Sequence, residues 1–331
     1  MRIAILGSNS FSGLNLIGHL LSQSQFVVGI SRSSEAKFPF NLNEKTKSER
    51  NFRFYQIDMN HDPKLVSDVL VKENIEYIVN FAAQSMVPQS WDYPEDWYRT
   101  NLESFAIFLN YLIASRLKIK KFIQFTTPEV YGSTLAWIKE SFSFAPSTPY
   151  AVSRAASDWH LLNLYKRGQI PAVFTRAANV YGEGQQLYRI VPKTALCVLS
   201  NQILSLHGGG KSIRSFIHID DVSSALMKIL ESGRAGESYH ISTKDSVSIS
   251  DLVELVFSLM GQTNSSLINT TEELPGKDSL YLLDSQKIRE ELGWSDKIPL
   301  SEGVSRTINW VSDNIEVLRN LPSNYVHKRS M

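Results

Sequence analysis

The feature that most constrains the fold is an alternation, over the first half of the chain, of short apolar segments with amphipathic ones. Residues 3–6 are long enough for a buried strand, and residues 13–22 place Leu14, Ile17 and Leu21 on one helix face. Apolar strands separated by helices are typical of a parallel sheet covered on both sides. The predicted fold class is therefore α/β with a doubly wound parallel sheet. The other predicted strands are 26–30, 52–57, 77–82, 121–125 and 172–176, and the other predicted helices begin at Asp62 or span 101–115 and 150–166.

The alternation of short apolar segments with amphipathic ones changes beyond the sixth predicted strand. Helices predicted at 189–200 and 251–260 are separated by longer polar segments that carry glycine and proline. We expect residues 1–177 to form a dinucleotide-binding Rossmann domain, to which residues 213–232 return. Residues 178–331 are expected to form mainly a second, smaller α+β lobe that binds a substrate.

Composition excludes several classes of protein. The chain has 331 residues and a formal net charge of +1, which argues against a nucleic-acid binder. Its one cysteine, Cys197, rules out an internal disulfide and favours a reducing, cytoplasmic compartment. The first residues lack the apolar core of a signal peptide, and no segment approaches the roughly 20 apolar residues of a membrane span. We expect a soluble protein with no membrane partner.

Neither a metal site nor a hydrolytic nucleophile is predicted. The histidines are dispersed, and a metal ion normally needs at least three convergent protein ligands. Residues 211–221 are better explained as a strand running into a helix that is capped by Asp220 or Asp221. No Gly-x-Ser-x-Gly motif is present, and Cys197 lacks an evident partner.

The turn after the first predicted strand is the first candidate site. It reads GSNSFSG over residues 7–13, with serine at the middle position of the glycine fingerprint. Such a turn lets a dinucleotide pyrophosphate approach the backbone and lie at a helix N-terminus. An ordinary tight strand-to-helix turn explains two glycines equally well. The candidate cofactor-binding residues of this turn are Gly7, Asn9, Ser10, Phe11 and Gly13.

The end of the second predicted strand bears on the choice of dinucleotide. NAD-preferring sites place an acid there against the ribose 2′-hydroxyl, whereas this chain has Ser31-Arg32-Ser33. A guanidinium matches the geometry of a 2′-phosphate, so this segment favours NADP over NAD. A solvated loop is the competing interpretation. Further candidate cofactor contacts follow the third and fourth strands, at Asp58, Ala82 and Ala83.

A tyrosine and a cation one helical turn apart follow the fifth predicted strand. Tyr150 can take a proton from a sugar hydroxyl if its phenolate is stabilised, because its ordinary pKa is about 10. Arg154, at i+4 on the same helix face, supplies a stabilising charge. Thr127, at the end of the fifth strand, can hydrogen-bond the same substrate hydroxyl. In isolation this Tyr-x-x-x-Arg pattern is more often a surface pair.

Taken together, the motifs resemble those of the extended short-chain dehydrogenases/reductases, and among them the nucleotide-sugar 4,6-dehydratases of the dTDP-glucose and GDP-mannose type. The resemblance covers nearly the whole chain, and Glu129 favours the dehydratase branch because epimerases generally lack a carboxylate there. The matching segments are NFAAQS at 80–85, TN at 100–101, TTPEVYG at 126–132, STPYAVSRAASD at 147–158, RAANVYGEGQ at 176–185, RSFIHIDDV at 214–222 and PGKDSLYLLD at 275–284.

The resemblance implies a reaction and a set of residues. Tyr150, helped by Thr127, removes the C4 hydroxyl proton while hydride leaves C4 for the nicotinamide. Glu129 then takes the C5 proton as water departs from C6, and hydride returns to C6. The product is a 4-keto-6-deoxy sugar nucleotide, and the cofactor ends unchanged. The catalytic residues implied are Thr127, Glu129, Tyr150 and Arg154, and the implied contacts to the nucleotide-diphosphate hexose are Ser85, Asn179 and Arg214.

Several positions depart from the family pattern. Arg154 replaces the usual lysine, and Ser10 replaces the middle glycine. Pro128 stands where the dTDP-glucose enzymes carry an aspartic acid that protonates the leaving hydroxyl, although the GDP-mannose enzymes also lack it. Leu274 stands where the dTDP type has an arginine. These departures leave open the identity of the nucleotide.

Two other functions compete with the dehydratase hypothesis. One is an epimerase or ketoreductase of the same fold, and the other is a non-catalytic NADP-binding sensor or scaffold. The helices predicted at 101–115 and 150–166 carry apolar residues on more than one face. In this superfamily the corresponding helices pack as a four-helix bundle, so we expect a homodimer. A face buried within one chain is the alternative.

Overall fold

The computed structural model describes residues 1–44, 47–48, 50–134, 136–262, 267–272, 280–327 and 329. Leu274, Pro275 and Gly276, which entered the sequence comparison above, lie outside the described residues. The strands are β1 Arg2–Leu6, β2 Phe26–Ser31, β3 Phe52–Gln56, β4 Tyr77–Asn80, β5 Lys121–Thr126, β6 Trp137–Ile138, β7 Ala172–Ala177, β8 Asn179–Tyr181, β9 Leu204–His207, β10 Ile213–Arg214, β11 Phe216–His218, β12 Ser238–Ile241, β13 Val247–Ser248, β14 Ile268–Thr271 and β15 Leu280–Leu283.

The helices alternate with these strands. They are α1 Phe11–Ser22, α2 Pro63–Lys72, α3 Val87–Asp92, α4 Pro94–Tyr98, α5 Ser104–Ala114, α6 Pro149–Lys166, α7 Ile190–Leu199, α8 Ile219–Ser232, α9 Ile249–Leu259, α10 Gln286–Leu292, α11 Leu300–Asp313 and α12 Ile315–Leu318. A π-helical turn, Arg99–Glu103, precedes α5, and 3-10 turns span Pro128–Tyr131 and Gly208–Gly210.

A seven-stranded parallel sheet is the centre of the described structure, in the order β12-β7-β5-β4-β1-β2-β3. Strand side chains alternate between the two faces, so Ile3 and Ile5 join one core and Ala4 and Leu6 join the other. Helices α1 and α8 cover the first face, and α2, α5 and α6 cover the second. This architecture confirms the predicted doubly wound fold. The strand order reverses between β1 and β4, which is where such sheets bind ligands.

The polar segments after β7 build smaller elements around a third core. Val191 of α7, Val256 of α9 and Val304 of α11 meet in it, together with Trp310. Beside these helices lie a four-stranded sheet in the order β13-β10-β15-β6 and two parallel pairs, β11-β8 and β14-β9. A second, smaller lobe of mixed α and β structure is therefore present.

Three details differ from the sequence-based expectations. The predicted helix 101–115 begins as the π-helical turn, and α5 proper starts only at Ser104. The cap of α8 is His218, whose Nδ1 accepts a hydrogen bond from the Asp220 amide, so neither predicted aspartate caps it. Both aspartates lie in the first turn instead, where their charges suit the helix dipole. Strand β12, at the edge of the central sheet, was not predicted.

A C-terminal segment, residues 322–327 with Arg329, crosses from the smaller lobe to α4. Its His327 ring stacks on Tyr93 and Trp97, with centroids 5.3 and 4.9 Å apart. His327 Nε2 lies 2.8 Å from Asp96 Oδ2, and both side chains are buried. This contact connects the two parts of the molecule directly.

None of the described helices combines the length and apolarity needed to cross a membrane. Among the described residues, no group of three or more His, Cys, Asp and Glu side chains is arranged to hold a metal ion.

Candidate active site

A cavity of about 260 Å³ opens at the carboxyl ends of β1, β2 and β4, at the reversal point of the sheet. Gly7 lies on its wall with φ of 75°, and a Cβ there would be 2.6 Å from the Ala82 amide nitrogen. Only glycine fits, because both the backbone conformation and the space exclude a side chain. The predicted cofactor residues that line the cavity are Gly7, Asn9, Ser10, Ser31, Arg32, Asp58, Ala82 and Ala83.

The remaining fingerprint residues support this wall from behind. Phe11 is buried in the core, and Gly13 packs against the turn, where a Cβ would be 2.6 Å from the Gly7 carbonyl oxygen. Ser10 is the N-cap of α1, and its hydroxyl accepts a hydrogen bond from the Gly13 amide at 3.1 Å. The serine in place of a glycine therefore caps the helix whose N-terminus faces the cavity.

Asn9 and Asp58 have structural partners as well as positions on the cavity wall. Asn9 Nδ2 donates to the Ser33 hydroxyl at 3.0 Å and to the Ser34 carbonyl at 2.7 Å, which fixes the loop after β2. Asp58 Oδ1 accepts from the Asn60 amide at 2.9 Å. The Arg32 side chain, on the same wall, is exposed to solvent.

The cavity fits a nicotinamide dinucleotide. Gln84 Nε2 on its wall and Arg154 Nε are buried and have no hydrogen-bond partner among the described residues. Buried donors of this kind need an acceptor, and ribose hydroxyls or an amide provide one. The glycine turn and the α1 N-terminus supply the backbone donors that a pyrophosphate requires.

The predicted catalytic residues come together next to this cavity. Thr127 follows β5 and accepts a hydrogen bond from the Glu129 amide at 3.3 Å, which starts the 3-10 turn carrying Glu129. Tyr150 lies in the first turn of α6, whose N-cap Thr148 accepts from the Ala151 amide at 3.1 Å. Thr127 and Tyr150 are almost completely buried, and Glu129 is partly exposed.

The electrostatics show that these groups share one site. Burial raises the pKa of Tyr150, and the nearby charge of Glu129 raises it further. The charge of Arg154 and a hydrogen bond with the Thr127 hydroxyl act in the opposite direction. Arg189, which the sequence analysis did not single out, also lowers the pKa of Tyr150. The phenol and the carboxylate therefore face the same space.

Arg154 is held by its own set of partners. Its Nη2 donates to the Phe125 carbonyl at 2.5 Å. One turn further along α6, the carboxylate of Asp158 accepts from Arg176 Nη2 at 2.8 Å, and both of these side chains are fully buried. Burial raises the pKa of Asp158, and the charges of Arg176 and Arg154 oppose that shift. Tyr150, Arg154 and Asp158 thus form a row on one face of α6.

The predicted diphosphate contacts meet at a residue that the sequence analysis missed. Tyr281 of β15 donates a hydrogen bond to Asn179 Oδ1 at 2.8 Å, and the Arg214 guanidinium lies 4.2 Å from the centre of its ring. Ser85 is exposed in the loop between β4 and α3 and is not part of the cavity wall. The only sequence signal for Tyr281 was its place in the PGKDSLYLLD segment.

A buried amide network links the cavity wall to α6. Asn101, in the π-helical turn, accepts from the Gln84 amide at 2.8 Å and donates to the Ser153 hydroxyl at 2.8 Å. It also donates to the Gln84 carbonyl at 3.0 Å. The π-helical turn that the sequence did not predict thus orients the residue holding Gln84 in place.

Fold and site together define the class of nicotinamide-dinucleotide enzymes, and Tyr150 and Glu129 interact within the site. A family model described as GDP-mannose 4,6 dehydratase matches residues 5–307. The dTDP-glucose 4,6-dehydratase of Streptomyces niveus is 34% identical over 322 residues, covering 95% of this chain and 94% of the relative. The mouse dTDP-D-glucose 4,6-dehydratase is 30% identical over 329 residues, covering 96% and 91%.

A solved structure is similar over the same extent. The crystal structure of the Streptomyces venezuelae dTDP-glucose 4,6-dehydratase with NAD bound has a TM-score of 0.88 and 27% identity, covering 96% of this chain and 98% of that one. The chain belongs to the GDP-mannose 4,6-dehydratase family, a branch of the nucleotide-sugar 4,6-dehydratases. The family resemblance drawn from the sequence motifs is confirmed.

Proposed function

We propose that the protein converts a nucleoside-diphosphate hexose of the dTDP-glucose or GDP-hexose type to its 4-keto-6-deoxy derivative. The observation that carries this proposal is the shared site of Tyr150 and Glu129, in which the carboxylate raises the pKa of the phenol. Thr127 hydrogen-bonds the same phenol, and Asn101 connects Ser153 of α6 to Gln84 on the wall of the cavity. A carboxylate in this place is what removal of a C5 proton requires.

Each of these residues has its own role in the proposed reaction. Tyr150 accepts the proton of the C4 hydroxyl, with Thr127 as its hydrogen-bond partner and Arg154 favouring the phenolate. A bound nicotinamide dinucleotide supplies oxidation at C4 and reduction at C6. Glu129 takes the C5 proton, which the C4 ketone acidifies. Because Pro128 offers no acid, Glu129 passes the same proton to the departing C6 hydroxyl, which leaves as water. Reduction at C6 would leave C5 one proton short, and the proton that Tyr150 took from the C4 hydroxyl balances it.

The test is incubation with dTDP-, GDP-, UDP- and CDP-hexoses, followed by mass spectrometry. Loss of one water from any of them is expected. Glu129→Gln should lower this rate by about two to four orders of magnitude, because it removes a general base. Glu231→Gln, at an exposed glutamate on α8, is the matched control and should keep full activity.

Two results would contradict the proposal. An epimerase or ketoreductase of the same fold would release no water and would tolerate Glu129→Gln. A sensor or scaffold would bind the dinucleotide tightly and turn over no sugar nucleotide. Absence of dehydration across the whole panel rejects the proposed activity.

We further propose that NADP is preferred over NAD. Ser31, Arg32 and Ser33 line the cavity after β2, and this segment offers a guanidinium where NAD sites carry an acid. The relatives from Streptomyces venezuelae and Bacillus anthracis were solved with NAD, which supports a nicotinamide dinucleotide in general. Calorimetry should give tighter binding of NADP, and Arg32→Ala should abolish the difference. Equal or tighter binding of NAD would overturn this preference.

A homodimer through α5 and α6 is also proposed. Ile107 and Tyr111 of α5 are each 40% exposed, and Val152 and Trp159 of α6 are 41% and 47% exposed. These apolar side chains on adjacent helices offer a surface for a second copy. Light scattering at micromolar concentration should give twice the mass of one chain, and a monomer would reject the dimer.

The single cysteine supports a cytoplasmic location, which we propose as well. Cys197 is a free, buried thiol on α7. Burial raises its pKa, so it stays protonated and unreactive. Cell fractionation tests the location directly, and recovery outside the cytoplasmic fraction would overturn it.

A further inference from the structure

Tyr281 touches both side chains implied in diphosphate binding. It lies on β15 directly beside Arg214 of β10, its register partner in the parallel pair. Its hydroxyl donates to Asn179 Oδ1 at 2.8 Å, and the Arg214 guanidinium packs 4.2 Å from its ring centre. The side chain is only 8% exposed, so these contacts are fixed by packing.

The hydrogen bond from Tyr281 fixes which end of the Asn179 side-chain amide faces the phenol. An asparagine side chain has one acceptor oxygen and one donor NH2 group. Because the phenol occupies the oxygen, the NH2 group is turned away from Tyr281 with its donors outward. Diphosphate oxygens are acceptors only, so this orientation suits them and the flipped one does not.

Arg214 contacts Tyr281 in two ways. Its guanidinium packs against the Tyr281 ring, where a cation is attracted by the aromatic face, and it also forms a hydrogen bond with the Tyr281 hydroxyl. Nη1 is also tied to the Ile213 carbonyl at 2.7 Å. Burial and the charge of Glu129 raise the pKa of Tyr281, so the phenol remains a neutral hydrogen-bond donor.

We infer that Tyr281 is a positioning residue that orients Asn179 and Arg214 for a nucleotide diphosphate. Its hydroxyl acts on the amide, and its ring and hydroxyl together act on the guanidinium. The inference rests on the proposed function only for the chemical class of the ligand. It gives the site a specificity for acceptor-only anions. A residue on a strand of the smaller lobe thereby links substrate binding to the catalytic carboxylate next to it.

The experiment uses two substitutions and two probes. Tyr281→Phe removes the hydroxyl and keeps the ring, whereas Tyr281→Leu removes both. Calorimetry with dTDP and with GDP should show about 3- to 10-fold weaker binding for Tyr281→Phe, the range of one lost hydrogen bond. Tyr281→Leu should weaken binding further. In turnover the KM for the sugar nucleotide should rise by a similar factor, with kcat changed less than about threefold.

A double-mutant cycle separates positioning from general damage. In an Asn179→Ala background, Tyr281→Phe should cost less affinity than it does in the unaltered protein, because the amide it orients is gone and only its hydrogen bond with Arg214 remains to be lost. Tyr239→Phe is the matched control, since this buried phenol donates instead to Glu291 at 3.1 Å. Its nucleotide affinity should equal that of the unaltered protein. Thermal unfolding of each variant checks that it is folded, and dinucleotide affinity should not change.

The possible results are distinguishable. Normal dTDP and GDP binding by folded Tyr281→Phe, or a loss that adds fully to that of Asn179→Ala, overturns the role of Tyr281. If the predicted binding losses occur and no sugar nucleotide is dehydrated, the role of Tyr281 holds and the proposed reaction falls. A protein that binds none of dTDP, GDP, UDP and CDP overturns both.

Discussion

Position 154 illustrates how one side chain sets the chemistry of another. Arg154 carries a permanent charge that lowers the pKa of Tyr150 against the effect of burial. Its Nη2 is committed to the Phe125 carbonyl, while its Nε has no partner among the described residues. The charge of Arg154 therefore favours the phenolate form of Tyr150, and the proposed contact of Arg154 with the dinucleotide would use its Nε.

Removing that charge should move the pH dependence of the reaction in a defined direction. Arg154→Gln raises the pKa of Tyr150, so the rising limb of kcat against pH should shift to higher pH. Arg154→Lys keeps a positive charge and should shift the limb much less. Rates measured by mass spectrometry across the pH range check this. A limb that does not move in Arg154→Gln would mean that another group titrates.

At the residue scale, the residues proposed to carry out the chemistry could be identified from the sequence more readily than the residues that hold them in place. Thr127, Glu129, Tyr150 and Arg154 stand in a recognisable pattern, so their types and spacing could be interpreted. Tyr281 could not be identified in the same way, because its role depends on β15 lying beside β10. That pairing is a tertiary fact with no local signature.

Helix α6 is the element that organises the site. Its N-cap, Thr148, fixes the first turn, so Tyr150 is presented from a defined position. Four and eight residues later, Arg154 and Asp158 occupy the same face, and Asp158 ends the row in a buried ion pair with Arg176. The helix thus carries Tyr150, the proposed base, together with two charged side chains on the same face.

The buried ion pair of Asp158 and Arg176 should contribute far more to stability than an exposed ion pair. Asp158→Asn leaves Arg176 buried without its counter-charge, so the free energy of unfolding should fall by about 3–5 kcal/mol. Asp68→Asn breaks the exposed Lys64–Asp68 pair on α2 and should leave the free energy of unfolding nearly unchanged, because solvent screens such a pair. Urea denaturation of both variants measures the difference. Equal losses would show that Asp158 contributes no more than a surface charge.

At the element scale, the sequence predicted the strands and helices that show a clear apolar periodicity. The six strands and the long helices of the first half were predicted because their apolar residues are continuous or regularly spaced. Strand β12 was missed because its sequence, SYHI, alternates polar side chains whose partners lie far away in the chain. Ser238 accepts from Arg176 at 2.6 Å, and His240 contacts the Tyr131 hydroxyl at 2.9 Å.

Across the whole molecule, the C-terminal segment connects the smaller lobe to α4. Tyr325 packs on Tyr188, and the charges of Arg32 and Arg189 lower its pKa while burial raises it. His327 then enters between Tyr93 and Trp97. The segment therefore lies near Arg32 of the cavity wall and near Arg189.

Loss of the His327 contact should loosen this segment without unfolding the protein. His327→Ala leaves the carboxylate of Asp96 buried with one partner fewer, which should cost about 1–3 kcal/mol. Trypsin should then cut at Arg329 faster than in the unaltered protein. His61→Ala, at an exposed position, is the control and should leave the digestion rate unchanged. Unchanged cleavage in His327→Ala would show that other contacts hold the segment.

The position of β12 has a consequence for protein engineering. The chain leaves the central sheet after β7, builds part of the smaller lobe, and comes back as α8 and β12 to cover the exposed edge of β7. The smaller lobe is therefore not formed by one continuous stretch of the chain. A chimera that borrows it from a relative must be spliced at several crossovers, since a single junction would strip β7 of its neighbour and invite aggregation. Recoding nucleotide preference in this scaffold is a task for point substitutions rather than modular recombination.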